Sequence, residues 1–269
     1  MQAPMRFNYS SSGLTDVGQR RDHNEDALYL DDSLGIYIVA DGMGGHAAGE
    51  VASATAIQAM SPFLHKSIND KDITWPFGFD TTMSRGANLL LSSIKLANAA
   101  VCNVAAERPE CQGMGTTMVA ALIEESNLII GHVGDSRLYR FRGDTLELLT
   151  TDHTWVNEQL EKKVITEEEA KNHRWKNVIT RALGNKTVVE VDLAKIEIED
   201  QDLFMICSDG ITTMLSDEEV RQEILHGGGN LDDLTERIVS LSNEKGGYDN
   251  ITVIFVSFAS PSSTPTVCL

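Results

Sequence analysis

Ile36-Tyr37-Ile38-Val39-Ala40-Asp41-Gly42-Met43-Gly44-Gly45-His46 is the stretch that decides how this chain is read. Its first five residues, apolar and rich in β-branched and aromatic types, read as a buried strand. The acid and the glycines that follow end that strand in a loop, so Asp41 should lie at the rim of a sheet. Further along, Leu203-Phe204-Met205-Ile206-Cys207 runs into Ser208-Asp209-Gly210 in the same way. Asn24-Glu25-Asp26 and Asp249-Asn250 are further clusters where a strand meets a loop, and Gly134-Asp135-Ser136-Arg137 ends another apolar run. Carboxylates gathered without cations repel one another and titrate upward. Oxygen-only ligands of this kind suit hard divalent ions such as Mg²⁺ or Mn²⁺. The chain reads as built around a carboxylate-held metal centre.

With 269 residues, 42% of them apolar, the chain can bury a substantial core. No run approaches the roughly 18 apolar residues of a membrane span. The N-terminal MQAPMRFNYSSS lacks the apolar core of a signal peptide. The expectations are therefore a cytoplasmic monomer with no membrane partner. A net charge of −18, from 22 Lys+Arg against 40 Asp+Glu, disfavours nucleic acid, whose phosphates recruit basic stripes. Cys102, Cys111, Cys207 and Cys268 show no zinc-like spacing. Cys102 and Cys207, lying in apolar runs, read as reduced core residues.

Outward from the deciding stretch, short strands are expected at 13–17 and 27–31, then the strong one at 35–40, and a helix from Gly49 to Met60. Residues 61–82, with two prolines, Trp75 and a Gly-Phe pair, read as an irregular connection. A long helix from Ser84 to Glu107 puts Leu89, Leu90, Ile94, Ala97 and Val101 on one face. Strands at 116–124, 128–134, 136–142 and 145–149 read as an antiparallel meander. Residues 152–175, polar and weakly helical, read as a mobile surface flap with little apolar area to hold it down. Strands at 188–198 and 202–207, helices at 217–225 and 231–243, and a strand at 251–258 follow. The tail 260–269, containing SPSSTPT, reads as disordered. Strand runs interrupted by helix pairs make an α+β domain spanning 5–259, two stacked sheets with helices outside.

Taken in order, RDHNED, DGMGGH, GMGTTMVAALI, HVGDSRLYR, NVITRALG, ICSDGIT and GYDNITVI resemble the metal-dependent type 2C Ser/Thr protein phosphatases, the PPM family. The resemblance covers residues 9–258, and the DGMGGH form and the ITEEEAKNH segment look like the bacterial branch. It implies a four-layer α-β-β-α sandwich, two mostly antiparallel sheets flanked by helices, with metals in a cleft at one end. It also implies hydrolysis of phosphoserine and phosphothreonine in proteins, opposing a bacterial Ser/Thr kinase.

The site residues follow from the same match. Asp41 matches a carboxylate bridging two Mn²⁺ or Mg²⁺ ions, and the Gly42 carbonyl matches a ligand of the second ion. Asp209 and Asp249 match the remaining ligands of the first ion. Glu25 matches the acid serving the second, directly or through water. Asp26 matches the carboxylate behind it that orients a ligand water. Asp135, with Asp209, matches a third and weaker ion site, although Thr213 stands where some relatives carry another acid. Arg21 has the spacing of a phosphate-binding arginine, with Arg20 as its competitor. His46 is a displaced match to the acid that protonates the leaving alkoxide, and His153 is a second candidate. Two ions can lower the pKa of a bridging water, which explains why no C-x5-R nucleophile signature is needed. Two other functions remain open at this stage: a phosphoprotein-binding module of the same fold with weak or no turnover, and a hydrolase of another phosphoester.

Overall fold

In the computed structural model, which describes residues 7–45, 48–70, 72–227 and 230–261, the apolar runs pair into two sheets. The strands are β1 (Asn8–Asp16), β2 (Asp26–Asp31), β3 (Ile36–Met43), β4 (Gly115–Thr116), β5 (Met118–Glu124), β6 (Asn127–Val133), β7 (Arg137–Arg142), β8 (Thr145–Leu148), β9 (Asp192–Glu197), β10 (Leu203–Cys207) and β11 (Ile251–Ala259). One sheet has the order β1-β11-β10-β7-β8, and the other β2-β3-β5-β6-β9 with β4 attached to β3. Neighbouring strands run antiparallel in both.

Each sheet is covered on both faces, which is why β3, β10 and β11 are almost wholly buried instead of alternating. Between the sheets lie Tyr37, Val39, Phe204, Val256 and Phe258. Phe204 and Phe258 meet edge to face at 5.6 Å. The opposite face of the second sheet, carrying Ile38, Met118 and Ile129, packs on α1 (Ala48–Ile68) and α2 (Arg85–Glu107). Short helices α3 (Trp155–Glu161) and α4 (Glu167–Lys171) follow β8. The outer face of the first sheet, with Met205 and Phe255, packs on α5 (Asp209–Thr212), α6 (Asp217–His226) and α7 (Leu231–Glu244). The order of layers is α-β-β-α.

Several expectations need correction. Helix α1 does not stop at Met60 but continues through Pro62 to Ile68. Proline inside a helix costs about 3 kcal/mol, yet Met60, Leu64 and Ser67 are buried on one face beyond or beside it. The Arg85 guanidinium then closes the helix end on Ser67 O at 2.6 Å and on Asp70 O. Helix α2 is long and apolar enough to cross a membrane by composition. Its Leu90, Ile94, Ala97 and Val101 are fully buried in the core against the sheet, so tertiary packing accounts for its apolar stripe. The expected meander is split: β5-β6 belongs to one sheet and β7-β8 to the other, and the chain crosses between them at Gly134-Asp135-Ser136. The flap holds a small core of its own, with Val156 and Ala170 buried and Trp155 stacked on His173 at 4.6 Å and edge-on to Trp175 at 4.8 Å. Cys207 is buried as expected, but Cys102 is only partly so. Residues 262–269 of the tail lie outside the described residues.

Candidate functional site

Asp26 opens β2 directly opposite Asp41 on β3, so antiparallel register alone brings two acids together at one sheet end. Asp26 also reaches across to the other sheet, where its Oδ2 accepts from Ser208 Oγ at 2.7 Å and Thr252 Oγ1 at 2.6 Å. Its Oδ1 is buried without a donor. Burial pushes the Asp26 carboxyl up to about 6, against the pull of the two hydroxyls.

Asp41 is fixed through its backbone. Its N–H donates to Thr117 Oγ1 at 3.1 Å, and its carbonyl accepts from Thr117 N at 2.8 Å and Thr116 Oγ1 at 2.9 Å. Burial, then the charges of Asp26, Asp209, Asp135 and Asp249, hold its carboxyl well above the usual range. Asp209 begins α5 and is pushed up to about 7 by burial and by Asp135, Asp249 and Asp26. Asp135, on the sheet crossover, is pushed up to about 6 by burial and by Asp152, and its Oδ1 is likewise buried without a donor.

Gly42 and Glu25 are locked together. The Gly42 N–H donates to Glu25 O at 3.1 Å, and a Cβ on Gly42 would sit 2.1 Å from Gly49 O. No larger residue fits without moving backbone. Glu25 Oε1 accepts from Gly49 N at 3.2 Å, Glu25 O accepts from Ser53 Oγ at 2.6 Å, and burial raises its carboxyl pKa. Asn250 ties this corner to β11: its Oδ1 accepts from Glu25 N, and its Nδ2 donates to Val17 O and His23 O.

Arg21 donates through Nη2 to Asp249 Oδ2 at 2.7 Å and stands 4.0 Å from Glu25. Arg20 turns instead to the Tyr248 ring, 5.7 Å from its centroid, which separates the two arginines. His46 lies outside the described residues. His153 is buried, with Gly134, Asp192 and Arg181 around its ring nitrogens, so the ring is not open to the cleft. Beside Asp135 and Asp209 opens a cavity of about 630 Å³, walled by Val156, Leu160 and Ala170 of the flap and by Thr213.

Five aspartates and Glu25 therefore gather at one end of the sheets, with Arg21 against Asp249 and Glu25 and Arg137 near Asp135. Each of Asp26, Asp41, Asp135 and Asp209 is harder to ionise, first because it is buried and then because of nearby carboxylates. Among the described residues no three His, Cys, Asp or Glu side chains close into a finished coordination sphere. The donor set nevertheless fits hard cations: all oxygen, in charge excess, with two buried carboxylate oxygens lacking donors. Sequence reasoning missed the groups that hold these acids, namely Thr117, Ser208, Thr252 and Asn250. Their signal was a polar residue standing inside or at the end of an otherwise apolar strand.

The protein phosphatase 2C family matches residues 18–254. A serine/threonine phosphatase stp from Listeria innocua is 37% identical over 249 residues, covering 90% of this chain and 93% of the relative. The structure of serine/threonine phosphatase Stp1 from Staphylococcus aureus superposes with a TM-score of 0.80 at 30% identity, over 96% of this chain and 98% of the other. The catalytic domain of the phosphatase PstP, solved in complex with two manganese ions, superposes with a TM-score of 0.78 at 31% identity, over 95% and 100%. The two antiparallel sheets flanked by helices match these structures, and the chain belongs to the protein phosphatase 2C family.

Proposed function

We propose that this chain hydrolyses phosphoserine and phosphothreonine in proteins with the help of two Mn²⁺ or Mg²⁺ ions, in opposition to a bacterial Ser/Thr kinase. The observation that carries the reading is the cluster of carboxylates at one end of the two sheets, Asp41 and Asp209 raised first by burial and then by their acidic neighbours, with Arg21 at its edge. Asp41, the Gly42 carbonyl, Asp209, Asp249 and Glu25 would hold the two ions, and Asp135 with Asp209 a third. When bound, such ions acidify water for attack on phosphorus and neutralise phosphate oxygens.

The remaining work falls to the chain's own groups. Arg21, half exposed, has donors free beyond the one it gives Asp249, and its planar fork suits two phosphate oxygens. Asp26, bonded to Ser208 and Thr252, keeps one oxygen for orienting a water. Thr117 grips Asp41 on both sides of its peptide, so that the central carboxylate arrives preorganised. His46 is the proposed proton donor to the leaving alkoxide. The cavity under the flap is wide enough for substrate residues flanking the phosphorylated one.

The test is a substrate panel: phosphothreonine peptide, phosphotyrosine peptide and a 5′-phosphorylated oligonucleotide, each with Mn²⁺. Turnover of the phosphothreonine peptide alone is expected. No turnover of any substrate would leave a binding module, and preference for the oligonucleotide would point to a different phosphoesterase.

A further inference from the structure

His153 is buried, and the reaction as proposed does not use it. Its bonds are unusual in what they join. The ring Nδ1 accepts from Gly134 N at 2.9 Å, while the His153 backbone N–H donates to Gly134 O at 2.7 Å. With Nδ1 an acceptor, the neutral ring carries its proton on Nε2, which faces Asp192 Oδ2 at 3.1 Å and has the Arg181 guanidinium beside it at 3.0 Å. Arg181 braces Asp192 at 2.6 Å, and the ring of His132, itself buried, lies against that of His153 at 4.6 Å.

Gly134 is where the chain leaves one sheet for the other. Its φ of +112° and the Thr117 Cβ, which would lie 2.6 Å from any added Cβ, demand glycine. A glycine turn has no side chain to hold it, so its direction is set by what its N–H and C=O bond to. Both go to His153. The next residue is Asp135. Ser136 Oγ bonds Thr117 Oγ1 at 2.7 Å, and Thr117 in turn grips Asp41. Arg137 then clamps Asp152 through Nε at 2.9 Å and Nη2 at 2.6 Å.

The same residue also gathers both feet of the flap. Thr180 N donates to His153 O at 2.8 Å, and Trp155 N donates to Val178 O at 2.8 Å. We propose that His153 is a positioning residue: its ring aims the crossover that carries Asp135, and its backbone ties that crossover to the entry and exit of the flap. The flap and the acidic centre are thereby joined through His153, backbone to one and ring to the other, beside the Arg137–Asp152 clamp. This inference rests on the reading of Asp135 as an ion ligand.

The experiment uses the full chain and two amide mimics of the imidazole. His153→Asn places an oxygen where Nδ1 stands and keeps an acceptor for Gly134; His153→Gln reaches Asp192 but offers Gly134 nothing. Mn²⁺ binding is followed by titration calorimetry, with Asp135→Asn as reference, and exchange of the Gly134 amide by NMR. The site that Asp135→Asn removes should weaken about tenfold in His153→Gln, the low end of what loss of a ligand's supporting bond costs. Gly134 should lose its exchange protection in the same variant, and His153→Asn should restore both. Equal Mn²⁺ affinities in the Asn and Gln variants would overturn the positioning role. If Asp135→Asn leaves the Mn²⁺ isotherm unchanged, the ligand reading of Asp135 fails and takes this inference with it; Gly134 protection lost only in the Gln variant would then show that the bond is real but serves no ion.

Discussion

Replacing Asp209 by asparagine should make the metal-free protein more stable and the metal-loaded protein less so. The Asp209 carboxyl ionises at about 7 in the folded chain against 3.8 when free, with burial first and Asp135, Asp249 and Asp26 next among the causes. That difference is a penalty of about 4 kcal/mol on the charged folded form. The sign follows from proton counting. The unfolded chain loses its proton first, so between pH 3.8 and about 7 the folded state holds the extra proton. Stability therefore falls as pH rises through that window, and above it the whole penalty persists. Asp209→Asn removes the charge while leaving a polar group to bury, so a net gain of about 2–4 kcal/mol is expected at pH 8 in chelator. For a chain of this size that raises Tm by about 4–10 °C. At pH 5 the gain should shrink to less than half, because the wild-type acid is already protonated when folded. Mn²⁺ at about 1,000 times its Kd should reverse the order, since it adds about 4.1 kcal/mol to the protein that can bind it. Differential scanning calorimetry at pH 5 and pH 8, with chelator and with Mn²⁺, measures all four cases. An Asp209→Asn protein that melts below wild type in chelator at pH 8 would refute the picture of repelling carboxylates.

Arg21→Ala should raise KM for a phosphothreonine peptide by about 10- to 100-fold, the cost of a charged hydrogen bond, while calorimetric Mn²⁺ affinity changes much less. Activity should vanish in excess chelator and return with Mn²⁺ but not with Ca²⁺, which coordinates loosely and acidifies water poorly; phosphate release with each ion checks this. Replacing the flap interior, residues 156–175, by a short Gly-Ser loop spares the anchors Asp152, His153 and Thr154. It should lower kcat/KM for a phosphoprotein about tenfold, or about 1.4 kcal/mol, and affect p-nitrophenyl phosphate less. Equal losses on both substrates would mean that the acidic centre itself had collapsed.

What the sequence made legible was whatever depends on local pattern. Ile36–Ala40 and Leu203–Cys207 are buried on both faces, so their runs of apolar residues announce strands without ambiguity. The acids that follow them appear where strand ends put them. Pro62 misled because local propensity is a weak term beside the burial of Leu64 one turn on. The split of the expected meander is not legible in the sequence, because β6 and β7 are each good strands joined by a short turn, and the change of sheet shows in the pairing and in the positive φ of Gly134. Thr117, Ser208, Thr252 and His153 could not be assigned from sequence, because their partners lie far away in it. Thr252 and Asp26 are 226 residues apart and share a bond of 2.6 Å.

That bond between Asp26 and the opposite sheet turns the acidic centre into a gauge of how the two sheets sit on each other. Asp26 and Asp41 ride on one sheet, whereas Asp209 and Asp249 are carried by the strands of the other. A slip of a few tenths of an ångström between layers changes every distance across the centre at once. Substitutions deep in the interlayer, at Phe204 or Phe258, need not unfold the protein to be felt. They should register as weakened ion binding as well as lost stability. Selection on ion affinity would in that way act as selection on the packing of a core that no substrate ever touches.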